Sequence, residues 1–69
     1  MSRHVDPILK NFDFDHLPPP QRDVARLFHQ MAVNLTMMLP TGPYKLATLR
    51  RLLEAKDFAV KSVELAEAA

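Results

Sequence analysis

Leu39-Pro40-Thr41-Gly42-Pro43 is the stretch that most limits what this chain can become. Pro40 lacks the N–H that a continuing helix needs and steers Leu39 out of α geometry, so a helix arriving from the N-terminal side ends there. Pro43 suits the first position of a new helix, with Gly42 or Thr41 capping it. Before the turn, Val24, Leu27, Phe28, Met31, Leu35, Met38 and Leu39 recur at the spacing of one face of a 3.6-residue helix. After it, Leu46, Leu49, Leu53, Val60 and Val63 repeat the pattern, and Leu52, Ala55, Ala59 and Ala66 widen it. So short a link makes the two helices antiparallel neighbours. The expected fold class is therefore all-α, one domain over 1–69: an N-terminal turn and arm over 1–19, a helix over 20–39 and a second over 44–66.

Size decides what such a hairpin must do next. The chain has 69 residues, and below roughly 70–80 residues a single core rarely supplies more than about 3–5 kcal/mol. The usual remedies are disulfides, a structural metal or self-association. There is no cysteine, which excludes disulfides and thiolate metal sites. The second apolar stripe is wider than one facing helix can cover, and the surplus points to a homo-oligomer. Nine Lys plus Arg against eight Asp plus Glu leave a net charge of +1, far from the excess of a general nucleic-acid binder. No DNA or RNA polymer is expected as a partner, and Arg50-Arg51, with no recognition-helix motif around it, reads as a solvated pair. Apolar runs of only a few residues span no membrane, and the N-terminus lacks the apolar core of a signal peptide. The expectation is a soluble, unexported protein.

The first nineteen residues read as an anchor followed by a strut. Met1 to Val5 is polar and expected to fray. Asp6-Pro7 can open a helical turn, Asp capping an orphan N–H and Pro lacking one. Ile8, Leu9 and Phe12 form the buried side of that turn, which is too short to stand without the hairpin. Leu17-Pro18-Pro19-Pro20 then imposes extended, polyproline-like geometry.

Chemistry-bearing residues are few. Ser2 and Ser62 are the only serines, and no carboxylate pair sits on an apolar wall, so catalysis has little support and the chain is read as no enzyme. His4, Asp6, Asp13, Asp15 and His16 match no established ligand spacing; they read as a solvated acidic arm, and no metal or cofactor is expected. Phe14 beside the rigid arm is either a second hydrophobic anchor, as Phe12 is, or a platform for a nucleobase. Arg22, Arg26 and His29 line one side of the first helix at i, i+4 and i+7, a stripe that serves surface ion pairs or phosphate contacts equally well. Lys61 on the second helix has the same two readings.

At these residues a family pattern emerges. Phe12-Asp13-Phe14, a His-and-Pro arm, Phe28-His29-Gln30-Met31-Ala32, the turn Leu39-Pro40-Thr41-Gly42 and Lys45 to Ala59 together resemble the small phage helical-hairpin proteins that include the anti-CBASS cyclic-oligonucleotide sponges, and are similar to the hairpin part of anti-Thoeris sponges. The resemblance covers most of residues 12–63. It implies a short N-terminal helix on a helical hairpin, a compact homo-oligomer that is commonly a hexamer, and a phage protein in the host bacterial cytoplasm. Its implied activity is capture, without cleavage, of the cyclic di- and trinucleotides, such as 3′,3′-cyclic GMP-AMP, that activate defence effectors. Phe14 stands where the family has a base-stacking aromatic, usually Tyr. The family's basic residue early in the first long helix falls nearest Ala25, leaving Arg22 or Arg26 to take its part. Lys61 matches an Arg that holds phosphates of a cyclic trinucleotide. The chain departs from the pattern in a shorter arm-to-helix segment, in Pro43-Tyr44 after the turn, in the missing phenol at Phe14 and in Lys61, which lacks the two-pronged fork of Arg. Two other readings stand beside this one: a helical module that docks on a host protein through its surplus apolar face, and a sponge for a cyclic ADP-ribose signal.

Overall fold

The computed structural model describes residues 7–68; Met1 to Asp6, and with them His4 and the Asp6 cap, lie outside the described residues. A 3-10 turn, Pro7–Phe12, precedes two long helices, α1 (Pro19–Met38) and α2 (Pro43–Ala68), folded back on each other as a hairpin. Among the described residues there is no strand.

The helix ends follow from backbone chemistry. Pro18 is extended, with φ −64° and ψ 162°, and its carbonyl accepts the first helical bond of α1, from Arg22 N–H at 2.8 Å. Pro19 and Pro20 occupy the first two positions, where an N–H has no intrahelical partner in any case, so α1 starts one residue earlier than the 20 expected. At its far end Leu39 is also extended, with φ −90° and ψ 138°, as the residue before Pro40 must be. Its N–H still donates to the Leu35 carbonyl at 2.9 Å. Across the turn the Gly42 carbonyl accepts from Leu46 N–H at 3.3 Å, and Pro43 is the first residue of α2.

The centre of the molecule is a three-way joint. Phe12, Ala32 and Leu49 are fully buried, one from each element, with Ile8, Leu9, Phe28, Leu35, Leu52 and Leu53 packed around them. Ala32 has too little side chain to fill the space opposite Leu49, and the Phe12 ring fills it. Without α1 and α2 the 3-10 turn has no reason to exist; without Phe12 the hairpin has a hole.

The inward face of α1 differs from the stripe expected. Leu27 and Met31 are half or more exposed and Met38 is 76% exposed, while Gln21, Ala25 and Ala32 are buried. Gln21, Ala25, Phe28, Ala32, Leu35 and Leu39 follow each other at alternating intervals of four and three, the spacing of a two-helix seam. The small side chains on this seam let α2 approach closely, and the bulkier Leu27, Met31 and Met38 are turned to the flank. On α2, Leu46 likewise stands 40% exposed, while Leu49 is buried and Leu52, Leu53, Lys56, Val60 and Val63 along the same side are partly buried. The result is a thin slab, 46 × 24 × 15 Å.

Phe12→Ala removes the ring that closes this joint and should cost about 3–5 kcal/mol, comparable with the whole stability of so small a core. Phe14→Ala, at a half-buried ring outside the joint, should cost clearly less. Urea denaturation followed by circular dichroism separates them; equal losses would mean that the joint is not where the fold is held.

Candidate functional site

A turn and a proline strut decide where Phe14 goes. Leu17 N–H donates to the Phe14 carbonyl at 3.1 Å and reverses the chain. Arg22 Nε then reaches back to the Leu17 carbonyl, also at 3.1 Å, and ties the arm to the first turn of α1. Its terminal guanidinium nitrogens have no hydrogen-bond partner among the described residues.

Held this way, Phe14 lies against the polar side of α1. Its ring and that of His29 meet edge to face, centroids 5.2 Å apart and planes at 66°. Arg26 Cζ is 5.9 Å from the Phe14 centroid. Such an aromatic pair contributes about 0.5–1.5 kcal/mol beyond area burial and an exposed cation–π contact about 0.5–1 kcal/mol, enough to orient the ring but not to immobilise it. Arg26 also pairs with Asp23, Nη2 to Oδ1 2.8 Å, with the two side chains 48% and 71% exposed. A surface pair of this kind is worth roughly 0–1 kcal/mol, so the guanidinium is cheaply redirected.

Of the five candidate residues, Arg26 and His29 thus both meet the Phe14 ring, and Arg22 lies on the same end of α1. Lys61 is elsewhere. It lines an open groove of about 270 Å³ with His16, Leu17, Lys56, Asp57, Val60 and Glu64. That groove mixes charges: the Lys56 amine is already engaged by the Asn11 carbonyl at 2.9 Å and by Asp57 Oδ1 at 3.2 Å, and Glu64 stands beside Lys61. Among the described residues no group of three or more His, Asp or Glu is placed to hold a metal ion, and no helix is long and apolar enough to cross a membrane.

No family model, curated protein or solved structure matches this chain. What the cluster can do follows from its groups. A half-exposed aromatic ring offers a flat apolar face, and a guanidinium and an imidazole at its side supply donors for an anion.

Two polar residues, Gln21 and Lys56, are structural. Gln21 is 6% exposed, and its Oε1 has no hydrogen-bond partner among the described residues. The Lys56 side chain, 12% exposed, lays its stem along the hairpin and delivers its amine to the Asn11 carbonyl, so that the end of the 3-10 turn is tied to α2. The signal for both was present: each occupies a position of the four-and-three rhythm of its helix. An orphaned buried acceptor costs about 1–3 kcal/mol. Gln21→Met, which keeps the volume and removes the acceptor, should therefore raise stability by about 1 kcal/mol in urea titrations; a loss of stability would show that the amide is satisfied in solution.

Proposed function

We propose that this chain binds cyclic oligonucleotide second messengers, such as 3′,3′-cyclic GMP-AMP, and sequesters them without cleavage. On this reading it is a phage anti-defence protein of the anti-CBASS sponge kind, acting as a homo-oligomer in the host cytoplasm and lowering the free signal before an effector meets it. The observation that carries the reading is the Phe14 ring with the Arg26 guanidinium 5.9 Å from its centroid and His29 on its edge. A cyclic dinucleotide presents what that cluster accepts: purine faces to stack on Phe14 and, one ribose away, phosphates for Arg26, His29 and Arg22. Stacking supplies about 1–3 kcal/mol per base, and each charge-assisted bond about 1.5–3 kcal/mol. Once the cost of association, about 4–15 kcal/mol, is set against these gains, one cluster falls short of the roughly −12 kcal/mol of nanomolar capture. Two copies facing one ring-shaped ligand reach it, which is why the oligomer belongs to the proposal. The same chemistry would accept a cyclic ADP-ribose signal.

The exposed Leu27, Met31 and Met38 favour a second reading, a module that docks on a host protein. Sedimentation separates the two, because a chain that stays monomeric and binds no nucleotide is the docking module.

Calorimetry against a panel of cyclic di- and trinucleotides, followed by heat release and chromatography, tests the proposal. Intact ligand should return; linear products would mean catalysis. Phe14→Ala should weaken binding by roughly 5- to 150-fold, the equivalent of one lost stack, with the helical content unchanged. Asp23→Asn frees Arg26 and should tighten binding by up to about fivefold. Unchanged affinity in the Phe14 variant would remove this cluster from the site.

A further inference from the structure

The side of α2 turned away from α1 has a rhythm of its own. Tyr44, Arg51, Phe58 and Leu65 stand seven residues apart, all exposed, with Phe58 at 72% and Leu65 at 73%. Between them, four residues after each of the first three, come Thr48, Ala55 and Ser62, also exposed. Intervals of four and three sustained along one face are the seam of a coiled coil, here with bulk at one seam position and small side chains at the other.

We infer that a second copy of this chain docks on that seam, α2 against α2, in antiparallel orientation. A parallel pair sets like on like: Phe58 would meet Phe58, Ala55 would face Ala55 across a gap, and Arg51 would face Arg51. The antiparallel pair sets bulk against small in every layer. Phe58 of each copy covers Ala55 of the other, Leu65 covers Thr48, and the stem of Arg51 lies over Ser62 with its guanidinium reaching solvent. The Thr48 hydroxyl already donates to the Tyr44 carbonyl at 2.7 Å, so it carries no unmet bond into the layer. From residue 48 to residue 65 the seam runs about 26 Å along the helix.

Charge picks the same register. Glu54 and Lys61 flank the seam on one side, seven residues apart. In the register that matches bulk to small, Glu54 of each copy lies opposite Lys61 of the other, twice by two-fold symmetry. Sliding the helices by seven residues brings Glu54 onto Glu54, or Lys61 onto Lys61. Lys61 has no ion-pair partner among the described residues, and Glu54 holds Arg51 of its own helix at 3.2 Å, a contact that the second copy's Lys61 extends rather than breaks. The seam forms without ligand, and it lies apart from the Phe14 cluster, which rests against α1.

Because the chain has no cysteine, single cysteines report the pairing directly. Thr48→Cys and Leu65→Cys proteins, oxidised separately, should stay uncrosslinked and, when mixed, should form a 48-to-65 disulfide. A disulfide in the Thr48→Cys protein alone would overturn the antiparallel seam. By sedimentation velocity in the absence of nucleotide, Glu54→Lys and Lys61→Glu should each weaken association about tenfold, as two attractions become two repulsions, and the double variant should restore it. Association that ignores all three variants, or a wild-type chain that stays monomeric, would also overturn it. Nucleotide affinity is read separately by calorimetry on the same proteins: lost binding with an intact seam strikes the sponge reading alone, and retained binding with no seam strikes this inference alone.

Discussion

Everything in this molecule hangs on Phe12. Its ring is the contact in which the 3-10 turn, α1 and α2 all take part, and it is fully buried only because Ala32 and Leu49 leave it a place. Two helices with a small-residue seam have little apolar area to share. The incoming ring supplies a large part of what they share, since an aromatic side chain buries on the order of 150–250 Å². The N-terminal segment is therefore part of the core rather than an appendage to it.

From that joint the arm is laid down by two backbone carbonyls. Asn11 is held by Lys56 of α2 and Leu17 by Arg22 of α1, so the residues between them are strung across the hairpin from one helix to the other. Phe14 lies in this span and has few positions open to it. Its meeting with Arg26 and His29 is thus a consequence of how the chain is tied at either side, and not of the attraction among the three groups, which is weak. The same ties turn His16 and Leu17 toward α2, where they wall the groove that Lys61 lines.

Much of this was legible beforehand, and the reasons are local. Pro18 to Pro20, Leu39-Pro40 and Gly42-Pro43 each force one backbone geometry whatever surrounds them, so the helix ends fell within two residues of expectation. Ile8, Leu9 and Phe12 have a single way to leave water. The inward face of α1 was harder, because two adjacent stripes at the same period, one through Ala25 and Ala32 and the other through Leu27 and Met31, differ in bulk rather than in rhythm. Hydrophobicity favours the bulky stripe; close approach favours the small one, and in this pair of helices close approach wins. Gln21 and Lys56 were hidden for a related reason: polarity argued for the surface while position argued for the seam. That Lys61 lines a groove which Phe14 does not reach depends on the path of the arm across the hairpin, which no pattern along the chain encodes.

The slab is 15 Å through at its thinnest extent, not much more than the diameter of a single helix with its side chains, about 10–12 Å. A protomer so thin withdraws little apolar surface from water, and the heat-capacity change on unfolding scales with that surface. Its free-energy curve against temperature is therefore shallow: taken alone, the chain gains and loses little across the physiological range and melts over a wide interval. A sharp melt would have to come from association with other chains, so the steepness of melting would register association that no single chain can supply.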